Sequence, residues 1–430
     1  MNHQYAIRQF GADEYKELEH QNQHNIMMVV GNGFDIAALS ELRARLMTDY
    51  QSFYKYMTEN DLARRDNVLI AKMGELKRLH ETAPLNDDRY RNWSDFEAIL
   101  EKHFAGKNGI NVDLERINQD LTYIQHQFSK FLDKAVEPDV LNALDSLAEQ
   151  HSWGYRTFGR FTADVGEEDF KRFRFPNRVG HKHLFNYNVI NFNYTSLLDN
   201  YLYMDKQQFQ PRLYKTSDAN FSFSRNLRNF ENAPVPHNYP DSNTGCSAYF
   251  MYDVHHPHGQ QQIPRSLLFG ISGEDDSRNS DPRYGLEKEY WSQADRRYEK
   301  MIHESELFII FGSSIGQSDR WWWKHILWTL CENDAELIIY TWTREPVFGE
   351  ERFRLIQNVK SNFIRENYDS ALFAEPWTPQ IEDKLSAKIF VVAYSDPTTI
   401  SAFGFSKGPF EADHRHYNYL NPPYRLPLPQ

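Results

Sequence analysis

Two glycine-bearing stretches and two polar side chains are suited to chemistry on a phosphate-bearing ligand. The first stretch, Gly31-Asn32-Gly33-Phe34-Asp35, closes the apolar run Ile26-Met27-Met28-Val29-Val30 and leads into helical sequence. Glycines permit positive φ and close approach of a ligand to the backbone, and bare N–H groups at a helix start attract phosphate. The same residues also fit a tight turn that holds nothing; their place after the first strand favours a nucleotide. The second stretch, Gly312-Ser313-Ser314-Ile315-Gly316, follows the strongest apolar run, and its small hydroxyl residues suit a ribose or a phosphate as well as a plain loop. Asn193 sits where the run 188–195 ends, with Thr195 two residues on. Ligands of open parallel sheets bind beyond the carboxyl ends of strands, and an amide there can orient a water or a ribose hydroxyl without adding charge. The alternative is an asparagine that stitches its loop to the backbone.

His258 precedes Gly259 in a cluster with Asp253, His255 and His256. Imidazole titrates near neutrality, which suits His258 to the role of general base. The cluster matches no closed zinc spacing and has no cysteine beside it, so no metal centre is expected, and His255 or His256 reads equally as a solvated loop histidine. Three further features read as structural. Asp319 is placed to cap the helix that starts near Arg320. Trp321, Trp322 and Trp323 diverge around a helix and suit core packing or an oligomer contact better than base stacking. Asp95 and Glu97 are too close in sequence to share a helical face, which disfavours a paired-carboxylate device.

The elements that must position these residues are legible as patterns. Apolar runs at 26–30, 188–195, 266–270, 307–314, 336–340 and 388–393 read as strands, and 307–340 reads as a strand–loop–helix–strand crossover, which calls for a parallel pair. Leu114, Ile117, Leu121, Ile124, Phe128, Phe131 and Ala135 recur at helical spacing up to Pro138, and no good strand lies between about 40 and 180. The expected fold is therefore α/β: a Rossmann-like parallel sheet flanked by helices, with a mainly helical insertion after the first strand. The divisions are a polar arm at 1–24, a core at 25–40 and 180–400, the insertion at 41–179, and a tail at 401–430. Residues 205–245 read as a long irregular segment.

Composition narrows the class. The chain has 430 residues, 40% hydrophobic and 15% aromatic, far too apolar for a disordered polymer. Its formal net charge of −12 argues against a nucleic-acid or membrane-surface partner. Two cysteines, Cys246 and Cys331, cannot staple such a length, which points to a reducing, cytoplasmic setting. The polar N-terminus lacks the apolar core of a signal peptide, and no run approaches a membrane span.

The series IMMVVGNGFDIA, TDYQSF, NWSDFE, VINFNYTSLLDNY, HGQ, LLFGI and LFIIFGSSIGQSD resembles, in order, the AbiH family of bacterial proteins associated with abortive infection. That family is in turn similar to sirtuin-like Rossmann-type domains, several of which bind or cleave NAD. The resemblance implies catalytic roles for Asn193 and His258. It implies nucleotide contacts from Gly31, Asn32, Gly33, Phe34, Asp35, Thr195, Gly312, Ser313 and Ser314. The implied activity is hydrolysis of the nicotinamide–ribose bond of NAD or a related nucleotide, with an ADP-ribose-like product. NAD would be a substrate or ligand, with no bound prosthetic group, and a phage-derived trigger and a homo-oligomer are the implied partners. The alternatives are a nucleotide sensor or partner-binding module that does no chemistry and, less favoured by the acidic charge, a nuclease.

Overall fold

From Ile26 to Val30 every residue of β1 (Gln23–Val30) is buried, as in a strand covered on both faces. Ile26, Met28 and Val30 pack to one side with Phe34, Trp153, Tyr201 and Phe405. Met27 and Val29 pack to the other with Tyr298 and the three consecutive tryptophans. The period-2 alternation of a strand thus feeds two cores at once. The computed structural model describes residues 23–83, 90, 92–105, 113–179, 183–204, 221–224, 245–273, 285–369, 372–373 and 376–408. Most of the polar arm, of the irregular 205–245 segment and of the tail lies outside the described residues.

The other strands are β2 (Leu184–Asn191), β3 (Phe221–Ser224), β4 (Gly245–His255), β5 (Leu307–Phe311), β6 (Glu336–Trp342) and β7 (Ile389–Tyr394). They form one seven-stranded sheet in the order β3-β4-β2-β1-β5-β6-β7. Every pairing is parallel except β3 with β4. This is the expected α/β, Rossmann-like architecture. Counted along the chain, the parallel strands follow the doubly wound order 3-2-1-4-5-6, which reverses between β1 and β5 and opens a crevice at their carboxyl ends. The register levels those ends: Val30 pairs with Asn191 and with Phe311, and Ile190 pairs with His255.

The strand expectations need correction, beginning with β3, which lies inside the stretch read as irregular. β4 went unanticipated because it lies toward the sheet edge, where its polar positions interrupt the apolar run. The stretch 266–270, expected as a strand, is a 3₁₀ turn, Pro264–Ser266, followed by extended chain that makes a single bridge from Ile271 to Glu287. Leu267, Phe269 and Ile271 are buried alternately, as in a strand, yet they pack into a helical aromatic cluster rather than into the sheet. β2 also ends earlier than the apolar run: it stops at Asn191, which leaves Asn193 and Thr195 in the turn beyond it.

Between β1 and β2 the described chain is helical, without a strand. Helix Leu114–Ala135 buries Ile117, Leu121, Ile124, Phe128, Phe131 and Ala135. With helices Tyr50–Glu59 and Val68–Thr82 it encloses a cluster that reaches Tyr194 and Phe269, next to the strand ends. Pro138 opens the next helix, Pro138–His151, where its missing N–H costs nothing. All three tryptophans of helix Arg320–Glu332 are buried, so they serve the core and not an oligomer contact. The helix can hide its whole circumference there because the sheet and neighbouring helices surround it. Among the described residues no helix is long and apolar enough to cross a membrane.

Candidate functional site

The glycine turn first joins two loops. Gly31 donates its N–H to Phe311 O at 2.9 Å, and Gly33 donates to Gly312 O at 2.8 Å. A Cβ on Gly33 would lie 2.7 Å from Gly312 Cα, and one on Gly312, whose φ is +64°, would lie 2.7 Å from Phe34 N. Backbone must therefore approach backbone at the β1–β5 junction, and only glycine permits it. The Phe34 side chain turns into the core, with ring centroids 5.1 Å from Tyr201 and 5.9 Å from Phe405. Asn32 accepts a hydrogen bond from Thr48 Oγ1 at 2.7 Å. Ser313 Oγ accepts from Ile315 N at 3.1 Å, which ties down the loop after β5, while Ser314 is exposed.

A buried acid lies beside this junction. Asp35, in the first turn of helix Gly33–Glu41, accepts a hydrogen bond at Oδ2 from Thr195 Oγ1 at 2.7 Å, while its Oδ1 is buried without a partner. Burial pushes its pKa up to about 7, Thr195 pulls it back, and nearby Asp199 raises it further, against His256 and Thr48. Asp199 also holds His256, Oδ1 to Nε2 at 3.0 Å. The folded value lies above that of an unfolded aspartate, about 3.9. The native state therefore holds the extra proton between those values, and stability falls as pH rises from about 4 through 7. Asp35→Asn removes this dependence. The variant should gain on the order of 2–4 kcal/mol at pH 8 and almost nothing at about pH 3, read by chemical denaturation at both values. An equal gain at both pH values contradicts the assignment.

The second cluster is built on β2, β4 and the loop after β5. Asn193 is 3% exposed, and neither its Nδ2 nor its Oδ1 has a partner. Its backbone N–H donates to Asn191 Oδ1 at 2.9 Å, which fixes the turn. Its neighbours Phe192 and Tyr194 flank His258, with ring centroids at 4.6 and 6.3 Å. His258 is buried, and its Nε2 lies 3.2 Å from Asp319 Oδ1. Asp319 therefore does not cap its helix with its side chain, as its position had suggested. Lys288 Nζ lies 2.7 Å from the same Asp319 oxygen and 3.3 Å from Glu97 Oε1. Glu97 also accepts from Tyr50 Oη at 2.9 Å and from Gly270 N at 3.1 Å. Burial pushes the Asp319 carboxyl up, but Lys288 and His258 outweigh it and hold the group well below the ordinary carboxylate range. Burial pushes Lys288 down, and Asp319 and Glu97 more than reverse it.

The three clustered histidines turn to separate carboxylates: His255 to Asp253, His256 to Asp199, and His258 to Asp319. Sequence reasoning missed Lys288, Glu97 and the role of Asp319 as the shared partner of His258 and Lys288. Asp95 does cap helix Phe96–Leu100, through Oδ1 to Ala98 N at 3.0 Å, which releases Glu97 to face inward. Glu289, next to Lys288, accepts from Ser272 Oγ at 3.0 Å and Gly273 N at 2.9 Å, and burial raises it to about 7. Carboxyl ends of β1, β2, β4 and β5 thus bring an amide, an imidazole–carboxylate pair and a buried acid to one edge. Such a set can orient water, accept a proton and stabilise positive charge.

A family model described as Bacteriophage abortive infection AbiH matches residues 27–341, a span that includes β2 to β5 and every side chain of both clusters. No curated protein matches the chain.

Proposed function

The chain belongs to the AbiH family, whose role is bacteriophage abortive infection, and from that premise we propose that it acts by hydrolysing the N-glycosidic bond of NAD or a related nucleotide. The observation that carries this reading is the Asn193 side chain, buried with both polar atoms unpartnered. A buried amide left this way costs free energy that a bound ligand or its attacking water would recover. It stands beyond the end of β2, where doubly wound sheets bind nucleotides.

In this mechanism the pyrophosphate lies near the start of helix Gly33–Glu41. The N–H groups of Gly33 and Phe34 already serve Gly312 O and Gly31 O, so the helix dipole rather than those N–H groups attracts the pyrophosphate. Asp35 adds no opposing charge while it keeps its proton. Thr195, Gly312, Ser313 and Ser314 lie along the ribose. Asn193 orients water toward the anomeric carbon of the nicotinamide ribose. The bond from that carbon to the pyridinium nitrogen breaks, and its electron pair leaves with nicotinamide. Water forms the new carbon–oxygen bond, and its proton passes to His258. Asp319, already ionised beside His258 Nε2, stabilises the imidazolium and leaves Nδ1 to take the proton. The products are nicotinamide, ADP-ribose and one proton.

Purified protein incubated with NAD, alone and with lysate from phage-infected cells, should release free nicotinamide. Absence of nicotinamide in both arms overturns hydrolysis. The burial of His258 favours, as second reading, a sensor that encloses its ligand without turnover. Tight calorimetric binding of ADP-ribose with no product would identify that case.

A further inference from the structure

The geometry points to a divalent transition-metal site, of the zinc class, formed by Glu299, His303 and His325 on the side of the fold away from the nucleotide crevice. Glu299 and His303 are the first and last residues of helix Glu299–His303, four apart and therefore on one face. His325 comes from the crossover helix Arg320–Glu332 packed beside it. One ligand atom from each of the three lies within 4.8 Å of the others. His303 Nε2 stands 3.3 Å from His325 Nδ1. Two nitrogens bound at about 2.0–2.1 Å to a tetrahedral ion are held about 3.3 Å apart, so this spacing is that of a ligand pair.

The surroundings favour the ion over a plain histidine contact. Trp328 lies 4.3 Å from the His303 ring, and Trp321 lies 4.3 Å from the His325 ring, which limits how either can turn. Asn333 Nδ2 donates to His303 O at 2.9 Å and fixes the backbone that carries the ligand. His325 is buried while Glu299 and His303 are half-buried, so a fourth position faces outward for water or another ligand. Two imidazoles and one carboxylate with an open position suit Zn²⁺ and other first-row divalent ions, and exclude the all-oxygen preference of Mg²⁺ and Ca²⁺. The ligands lie just before β5 and within the helix that leads toward β6, near the amino ends of the strands. The ion would clamp the crossover helix whose preceding residue, Asp319, anchors His258.

The test is a calorimetric titration of the full chain, stripped of metal, with Zn²⁺. One tight site is expected, with an unfolding midpoint raised by several degrees at about 100-fold excess over Kd. His303→Gln and His325→Gln should each weaken that site by tenfold or more, and Co²⁺ should give the visible absorption of a four-coordinate ion. His183→Gln disrupts a different histidine pair, His24 Nε2 to His183 Nδ1 at 2.8 Å, and should leave the titration unchanged. Absence of a tight site, retention of it in both His303→Gln and His325→Gln, or its loss in His183→Gln overturns the proposal. Nicotinamide release plays no part in this readout, so failure here is separable from failure of the proposed hydrolysis.

Discussion

His258→Ala should lower nicotinamide release from NAD by 10²- to 10⁴-fold, the range that a positioned general base contributes. Asn193→Ala should fall in the same range through a different cause, because it removes the group that orients the attacking water. The two can be told apart by binding. Asn193 is the buried side chain whose polar atoms await a partner, so its loss should also weaken binding of ADP-ribose. His258 faces Asp319 and two aromatic rings, and its loss should leave that affinity within a few-fold. Asp319→Asn should retain the fold of the site and reduce turnover, since the imidazolium then loses its charged partner. Progress curves for nicotinamide, paired with calorimetry of ADP-ribose, separate these effects. Wild-type rates in both His258→Ala and Asn193→Ala would remove the chemistry from this edge of the sheet.

What the sequence made legible follows from where each residue sends its interactions. The central strands were plain because β1 and β5 are covered on both faces and their apolar runs are unbroken. β4 was hidden because it lies near the edge and carries Asp253 and His255 among its apolar residues. The glycines of 31–33 read as a place where a ligand could approach the backbone; in the fold they make room for Gly312, and Gly312 for Phe34 N. No pattern within 31–35 could reveal that. Phe34 belongs to the motif as written and to the core as folded. Asp319 read as a helix cap because only its neighbours in sequence were visible, while its partners lie at 258 and 288. Glu97 was set aside on the ground that it cannot pair with Asp95 along a helix. It pairs instead with Lys288, and a single lysine within Leu286-Glu287-Lys288-Glu289 reads as a solvated charge until the fold buries it.

That buried lysine carries the largest expected effect on stability. Lys288 is 2% exposed and is the shared counter-ion of Asp319 and Glu97. Removing one partner of a buried ion pair costs about 3–5 kcal/mol, because the charge left behind is neither solvated nor paired. Here two carboxylates are left, so Lys288→Met should destabilise the fold by about that amount at pH 8. The sign with pH follows from Asp319. In the wild type its pKa is held below the unfolded value, so its stabilising contribution is present above about pH 4 and is lost only as pH falls lower. Without Lys288, burial weighs more heavily on Asp319 and its carboxyl rises from that depressed value. The variant's deficit should therefore be largest at pH 8 and shrink toward pH 5, as Asp319 begins to take up its proton. Adding Asp319→Asn and Glu97→Gln to Lys288→Met should restore much of the lost stability, since neutral amides need no counter-ion. Urea unfolding of the single and triple variants at both pH values decides the matter. A Lys288→Met midpoint equal to wild type at pH 8 would mean that water, not this lysine, compensates the acids, and that Asp319 is free to reposition when His258 takes a proton.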